Sequence, residues 1–300
     1  MTKIHINAVE SPREVSNYIS IFADKIDYLF LSSKEKPRMI TMSDSLVLTG
    51  IYSEYLDEEF GDMYSIINIG IAGSMSLGTV ALLLEGICDA NDIVININSF
   101  TFNSDASTIH KWAAFESNYD LLSFIDLSRA VGGIQNDFLT TFSNWNLTRL
   151  ENNEESYEGK SYMNINEYGD YYYSNQGHDQ DWFAKEGSTS FTITDKARFA
   201  FLNEMNSLLK AKGSFFYRAY PFYNINSLNS EKGTFEKRKE YDDYYKNNLN
   251  CSIISNIEDY GVTGDFFASD DFHLNIDGAK YHTRKLITDI KNQMEKDGLL

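Results

Sequence analysis

Five short apolar runs, separated by segments of helical spacing, leave this chain few folds to choose from. Residues 39–42 follow Pro37; residues 64–69, 93–97, 215–220 and 251–254 complete the set, with turn residues around them. Ser11-Pro12-Arg13-Glu14 reads as a capping box with proline at the first helical position. Behind it Val15, Tyr18, Ile19, Phe22, Ile26 and Leu29 keep helical spacing, which predicts a helix to about Leu29. Further helices are expected over 76–87, over 195–212 with Gly213 as the stop, over 236–246, and from 278 to 295. Strands alternating with helices predict an α/β fold with a five-stranded parallel sheet and helices on both faces. Such sheets carry their chemistry in loops at the carboxyl ends of the strands. Attention therefore falls on the positions after Met42, Ile69 and Ile97.

Bulk properties exclude several function classes. With 26 Lys and Arg against 44 Asp and Glu, the formal charge is −18, which disfavours a nucleic-acid partner or an anionic membrane surface. The two cysteines, Cys88 and Cys251, have no ligand spacing and are expected as reduced thiols rather than a disulfide framework. No stretch approaches the ~18 apolar residues of a membrane span, and residues 1–10 lack an apolar leader core, so a cytoplasmic location is expected. No heptad or interface stripe marks a partner chain. No metal or organic cofactor is implied, because the carboxylates show no ligand spacing such as H-E-x-x-H.

After the first run stand Ser43-Asp44-Ser45, followed by Leu46 and a helix. A serine at such a turn has its hydroxyl near helix-terminal N–H groups that can stabilise an anion. Alone, Ser43 or Ser45 would read as a helix cap. A base changes that reading, and Ser269-Asp270-Asp271-Phe272-His273-Leu274-Asn275 offers one. Asp270 and His273 can fold together, the carboxylate holding the imidazole tautomer while the other ring nitrogen faces a nucleophile. The remaining histidines, His5, His110, His178 and His282, lack a partner motif and are read as structural or solvated. Asn68-Ile69-Gly70-Ile71-Ala72-Gly73-Ser74 follows the second run. Its glycine spacing is not that of a dinucleotide loop, and no P-loop lysine follows. Gly73 reads either as a tight turn or as a backbone N–H donor to an oxyanion.

In combination and order these segments resemble the SGNH, or GDSL-type, hydrolases. The resemblance covers about residues 38–100 and 195–295, and D-x-x-H-L-N-x-x-G, ending at Gly278, is its most specific part. It implies a three-layer flavodoxin-like fold and hydrolysis or transfer of acyl groups, often acetyl on carbohydrates. By the same resemblance Ser45 is the nucleophile and an oxyanion donor, Gly73 the second donor, and Asp270 and His273 the acid and base. Two positions depart from the family pattern. Ser43 replaces the first glycine of G-D-S, and Asn96-Ile97-Asn98-Ser99-Phe100-Thr101 replaces G-x-N-D. Asn98 is the candidate third oxyanion donor, with Ser99 or Asn103 as substitutes.

Residues 101–193 are too many for a plain connection and are expected to form an insertion or lid subdomain between core segments 1–100 and 194–300. The insertion is rich in aromatic residues, and Tyr172 and Trp182 are its candidate substrate contacts. Flat rings beside amides and carboxylates suit sugars, although a small core of its own would have the same composition. Arg198 and Arg218 are assigned helix-surface or core-edge roles. The resemblance thus implies a serine esterase or O-acyltransferase acting through a Ser-His-Asp triad on an acyl ester, chiefly acetyl, of a carbohydrate, with a small-molecule or polysaccharide ester as substrate. A catalytically quiet sheet domain that binds a polysaccharide or a partner is the second reading, and two-carboxylate glycoside cleavage the third.

Overall fold

Apolar runs with no polar alternation need cover on both faces, and a parallel sheet between helix layers supplies it. A computed structural model of the chain describes residues 25, 35–70, 88–97, 166–172, 188–193, 196–268 and 272–300. The strands in chain order are β1 (Arg38–Met42), β2 (Ser65–Asn68), β3 (Ile93–Ile97), β4 (Phe215–Ala219), β5 (Tyr223–Asn224), β6 (Ser252–Ile253) and β7 (Gly261–Val262). Five of them form one parallel sheet in the order β2-β1-β3-β4-β6, as the sequence predicts. The chain thus leaves β1 to one side for β2 and crosses to the other side for β3. Counting the sheet strands alone, this is the flavodoxin-like order, with its switch point between β1 and β3.

The helices are α1 (Ser45–Gly50), α2 (Ser53–Phe60), α3 (Lys196–Ala211), α4 (Phe235–Asn248) and α5 (Ile276–Asp297). They cover the sheet in two layers, visible as two separate cores. On one face Ile40, Val94 and Phe216 meet Leu202, Met205 and Leu209 of α3 and Tyr241 and Tyr245 of α4. On the other, Met39, Ile93, Ile95 and Tyr217 meet Leu56 and Phe60 of α2 and Leu286, Ile290 and Met294 of α5. The last three are spaced by four and wholly buried, so α5 lays one stripe along the sheet. Burying each such side chain contributes roughly 1.5–3 kcal/mol.

Two features had no sequence signal. One is α2, whose N-cap residue Tyr52 supplies no side-chain hydrogen bond. Its first-turn N–H, at Ser53, donates instead to Asp170, 117 positions away. The other is a second, two-stranded parallel sheet of β5 and β7, too short to show a pattern. The expected 15–29 and 76–87 helices lie outside the described residues, except for Lys25, which is helical. Of the 101–193 stretch, 166–172 and 188–193 are described, and both pieces pack onto the α/β core. Tyr171 N–H donates to Leu48 O of α1, and Phe191 is buried in the α3/α4 core. No helix among the described residues is long and apolar enough to cross a membrane.

Candidate active site

The turn after β1 places Ser45 as the first residue of α1. Its cap is neither Ser43 nor Ser45 but Asp44, whose carboxylate accepts from Leu46 N–H at 3.0 Å. The Ser45 hydroxyl is therefore not spent on capping. A six-residue helix is too short to be stable alone, so α1 depends on tertiary contacts. One comes from α5, where His282 Nδ1 lies 2.7 Å from Gly50 O, and just beyond α1 the Tyr52 N–H donates to Thr283 Oγ1 at 2.8 Å.

The same helix α5 fixes the opposite partner. Asn275 caps it, accepting from Gly278 N–H at 2.9 Å, while its amide donates to Asp265 O and Phe267 O. Ala268 N–H donates to His273 O at 2.8 Å, and Phe267 bridges Leu274 in antiparallel fashion. These contacts hold His273 immediately before α5. Its Nε2 lies 2.7 Å from Ser45 Oγ, within hydrogen-bond distance.

The surroundings are electrostatically loaded. Burial raises the Asp44 carboxyl to about 6, opposed by the Leu46 N–H and by the nearby His273 and Arg218. Arg218 sits on β4 opposite Asn96 of β3 and is fully buried, in the core rather than at its edge. Its guanidinium donates to Ala219 O at 2.8 Å and Asn96 O at 3.2 Å, filling the carboxyl ends of both strands. His282 is buried too. Desolvation lowers its pKa, consistent with its structural assignment.

Of the residues singled out in the sequence, Ser45 and His273 are brought together. Asp270, Gly73, Asn98 and Trp182 lie outside the described residues, as do Ser99 and Asn103. The Arg198 side chain does as well. Tyr172 is described: its hydroxyl donates to Asp170 Oδ2 at 2.5 Å and its ring stacks on Tyr52 at 5.1 Å. That hydroxyl is engaged within the protein. Among the described residues no cluster of three or more His, Cys, Asp or Glu side chains could hold a metal ion.

Sequence reading missed a buried polar group behind α1. Asp170, 1% exposed, accepts from Ser53 N–H, Ser53 Oγ and Asn68 Nδ2 at 2.7–2.8 Å. Lys25 Nζ donates to Asn68 O at 3.1 Å and Gly169 O at 2.7 Å. Burial lowers this amine to about 7, against the opposing pull of Asp170. Asn68 stood in a visible motif, but Asp170 carried no signal, since its partners lie far away in sequence.

The chain matches no family model. Nor does any curated protein match it. Among solved structures it is similar to the crystal structure of protein YxiM from Bacillus subtilis, at 11% identity and a TM-score of 0.39. That similarity covers 86% of this chain and 57% of the other.

Proposed function

We propose that this protein is a serine esterase or O-acyltransferase acting on an acyl ester, with Ser45 as nucleophile. The observation that carries the reading is the 2.7 Å spacing between Ser45 Oγ and His273 Nε2 at the carboxyl end of β1. His273 takes the hydroxyl proton as Ser45 attacks the ester carbonyl, and returns it to the departing alcohol. To Asp270 we assign the carboxylate that holds the imidazole in the tautomer with Nε2 as acceptor. The N–H groups of Ser45 and Gly73, with Asn98, receive the developing oxyanion. Water or a sugar hydroxyl then takes the acyl group from Ser45.

An acetylated carbohydrate is the substrate class that best suits the surroundings. Phe272, next to the base, is 41% exposed, an apolar ring of the kind that packs on a sugar face.

A fluorophosphonate probe tests the nucleophile without any choice of substrate. Ser45 Oγ bonds to phosphorus as fluoride leaves, and the adduct mass is then located by peptide mapping. Labelling at Ser45 that is lost in His273→Ala supports the reading. An unlabelled Ser45 in folded protein leaves a catalytically quiet binding domain instead.

A further inference from the structure

Asn68 ends β2 fully buried, and both ends of its side-chain amide are in use. Nδ2 donates to Val47 O of α1 at 3.0 Å and to Asp170 Oδ1 at 2.7 Å, while Oδ1 accepts from Gly70 N–H at 2.8 Å. One side chain therefore ties the helix that begins at Ser45 to Gly70, two residues past Asn68. That helix carries the proposed nucleophile.

Which way the Asn68 amide faces is not left to Asn68. A carboxylate only accepts hydrogen bonds, so Asp170 selects the NH2 side and turns the amide oxygen toward Gly70. The 166–172 segment that brings Asp170 is itself fastened to both neighbours. Tyr171 N–H donates to Leu48 O, Asn68 N–H donates to Tyr168 O, and Lys25 bridges Asn68 O and Gly169 O. Contact is close throughout. A Cβ on Gly70 would lie 2.4 Å from Leu48 N, and one on Gly169, where φ is +92°, would lie 2.4 Å from Asn68 O.

We infer that Asp170 is a positioning residue of the acyl-transfer site, setting through Asn68 the spacing between the Ser45 helix and Gly70. This rests on the serine ester reading above. The competing role is plain support of α2, because Asp170 also caps that helix through Ser53. Ser53→Ala separates the two roles: it removes one Asp170 partner and leaves the Asn68 amide in place.

The test compares wild type, Asp170→Asn, Asn68→Ala, the double variant and Ser53→Ala. The readings are kcat and KM for 4-nitrophenyl acetate and amide hydrogen exchange in α1. Asp170→Asn and Asn68→Ala are each expected to lower kcat about 10- to 100-fold, as for a displaced oxyanion donor, with KM changed less than about threefold. The double variant should be no slower than the slower single, the mark of one shared route. Ser53→Ala should lower the melting temperature and keep kcat within about twofold of wild type. A kcat for Asp170→Asn no lower than that of Ser53→Ala overturns the inference. If Asp170→Asn does not fold, Asn68→Ala takes its place in that comparison. Wild-type activity that survives Ser45→Ala sinks the ester reading instead, and hydrogen exchange then decides. Faster exchange at 48–50 in Asp170→Asn than in Ser53→Ala keeps Asp170 as the strut of α1, and equal exchange removes it.

Discussion

His273 Nε2 reaches Ser45 Oγ at 2.7 Å across 228 positions of sequence, and one helix holds both ends of that contact. From α5, Asn275 fixes the loop carrying His273, while His282 meets the far end of the helix that Ser45 begins and Thr283 meets Tyr52 just beyond it. The geometry of the pair is therefore a property of α5 as much as of either loop.

Asn275→Ala removes the α5 cap and two hydrogen bonds to loop carbonyls, leaving Gly278 N–H and Asp265 O without that partner. A loss of about 1–3 kcal/mol is expected in urea unfolding. Activity should fall as well, because His273 is two residues away. Asn275→Asp keeps the cap acceptor and loses the donors, so it should fall between the two.

Gly70→Ala places a methyl group 2.4 Å from backbone that cannot rotate away. Gly70 and α1 must move apart to relieve the clash. A cost of about 1–3 kcal/mol is expected, read by thermal unfolding, together with a lower kcat.

Lys25 predicts a pH dependence with a definite sign. Its folded pKa is lowered from 10.5 to about 7, mainly by burial. Between these values the unfolded chain holds a proton that the folded chain lacks, so this group adds stability as pH rises from about 7 to 10.5. The contribution is about 1.4 kcal/mol per pH unit inside that window. Other groups cancel when wild type is compared with Lys25→Met. Their stability difference should climb in favour of wild type across that range, and a flat difference would contradict a buried amine at this position.

Arg38 and Asp92 form an ion pair at the opposite end of the sheet, with Nη2 to Oδ2 at 2.7 Å and side chains 3% and 1% exposed. Asp92→Ala removes the nearer carboxylate from a buried guanidinium that also meets Asp89 at 3.4 Å, and should cost about 3–5 kcal/mol. Where the variant remains folded, kcat should match wild type, separating stability from chemistry.

Much of the frame was legible because it is encoded locally. Residues 93–97 read as a strand and are one; the 278–295 stripe reads as a helix and α5 adds only a residue or two at each end. Ser45 and His273 were legible as well, since each stands beside a strand end or a helix cap. What escaped reading is whatever depends on distant partners. The α2 cap is a carboxylate 117 residues away, and Asp170 acquires meaning only once Asn68 and Ser53 are folded against it. Arg218 on β4 reads as a residue near the core edge; burial at 0% exposure follows from carbonyl acceptors supplied by two adjacent strands.

The most direct measurement is the rate of 4-nitrophenyl acetate hydrolysis by wild type and by Ser45→Ala, with folding of both checked by circular dichroism. A Ser45 nucleophile predicts wild-type turnover above background and a fall of roughly a thousandfold or more in the variant. Equal rates in two equally folded proteins would contradict it.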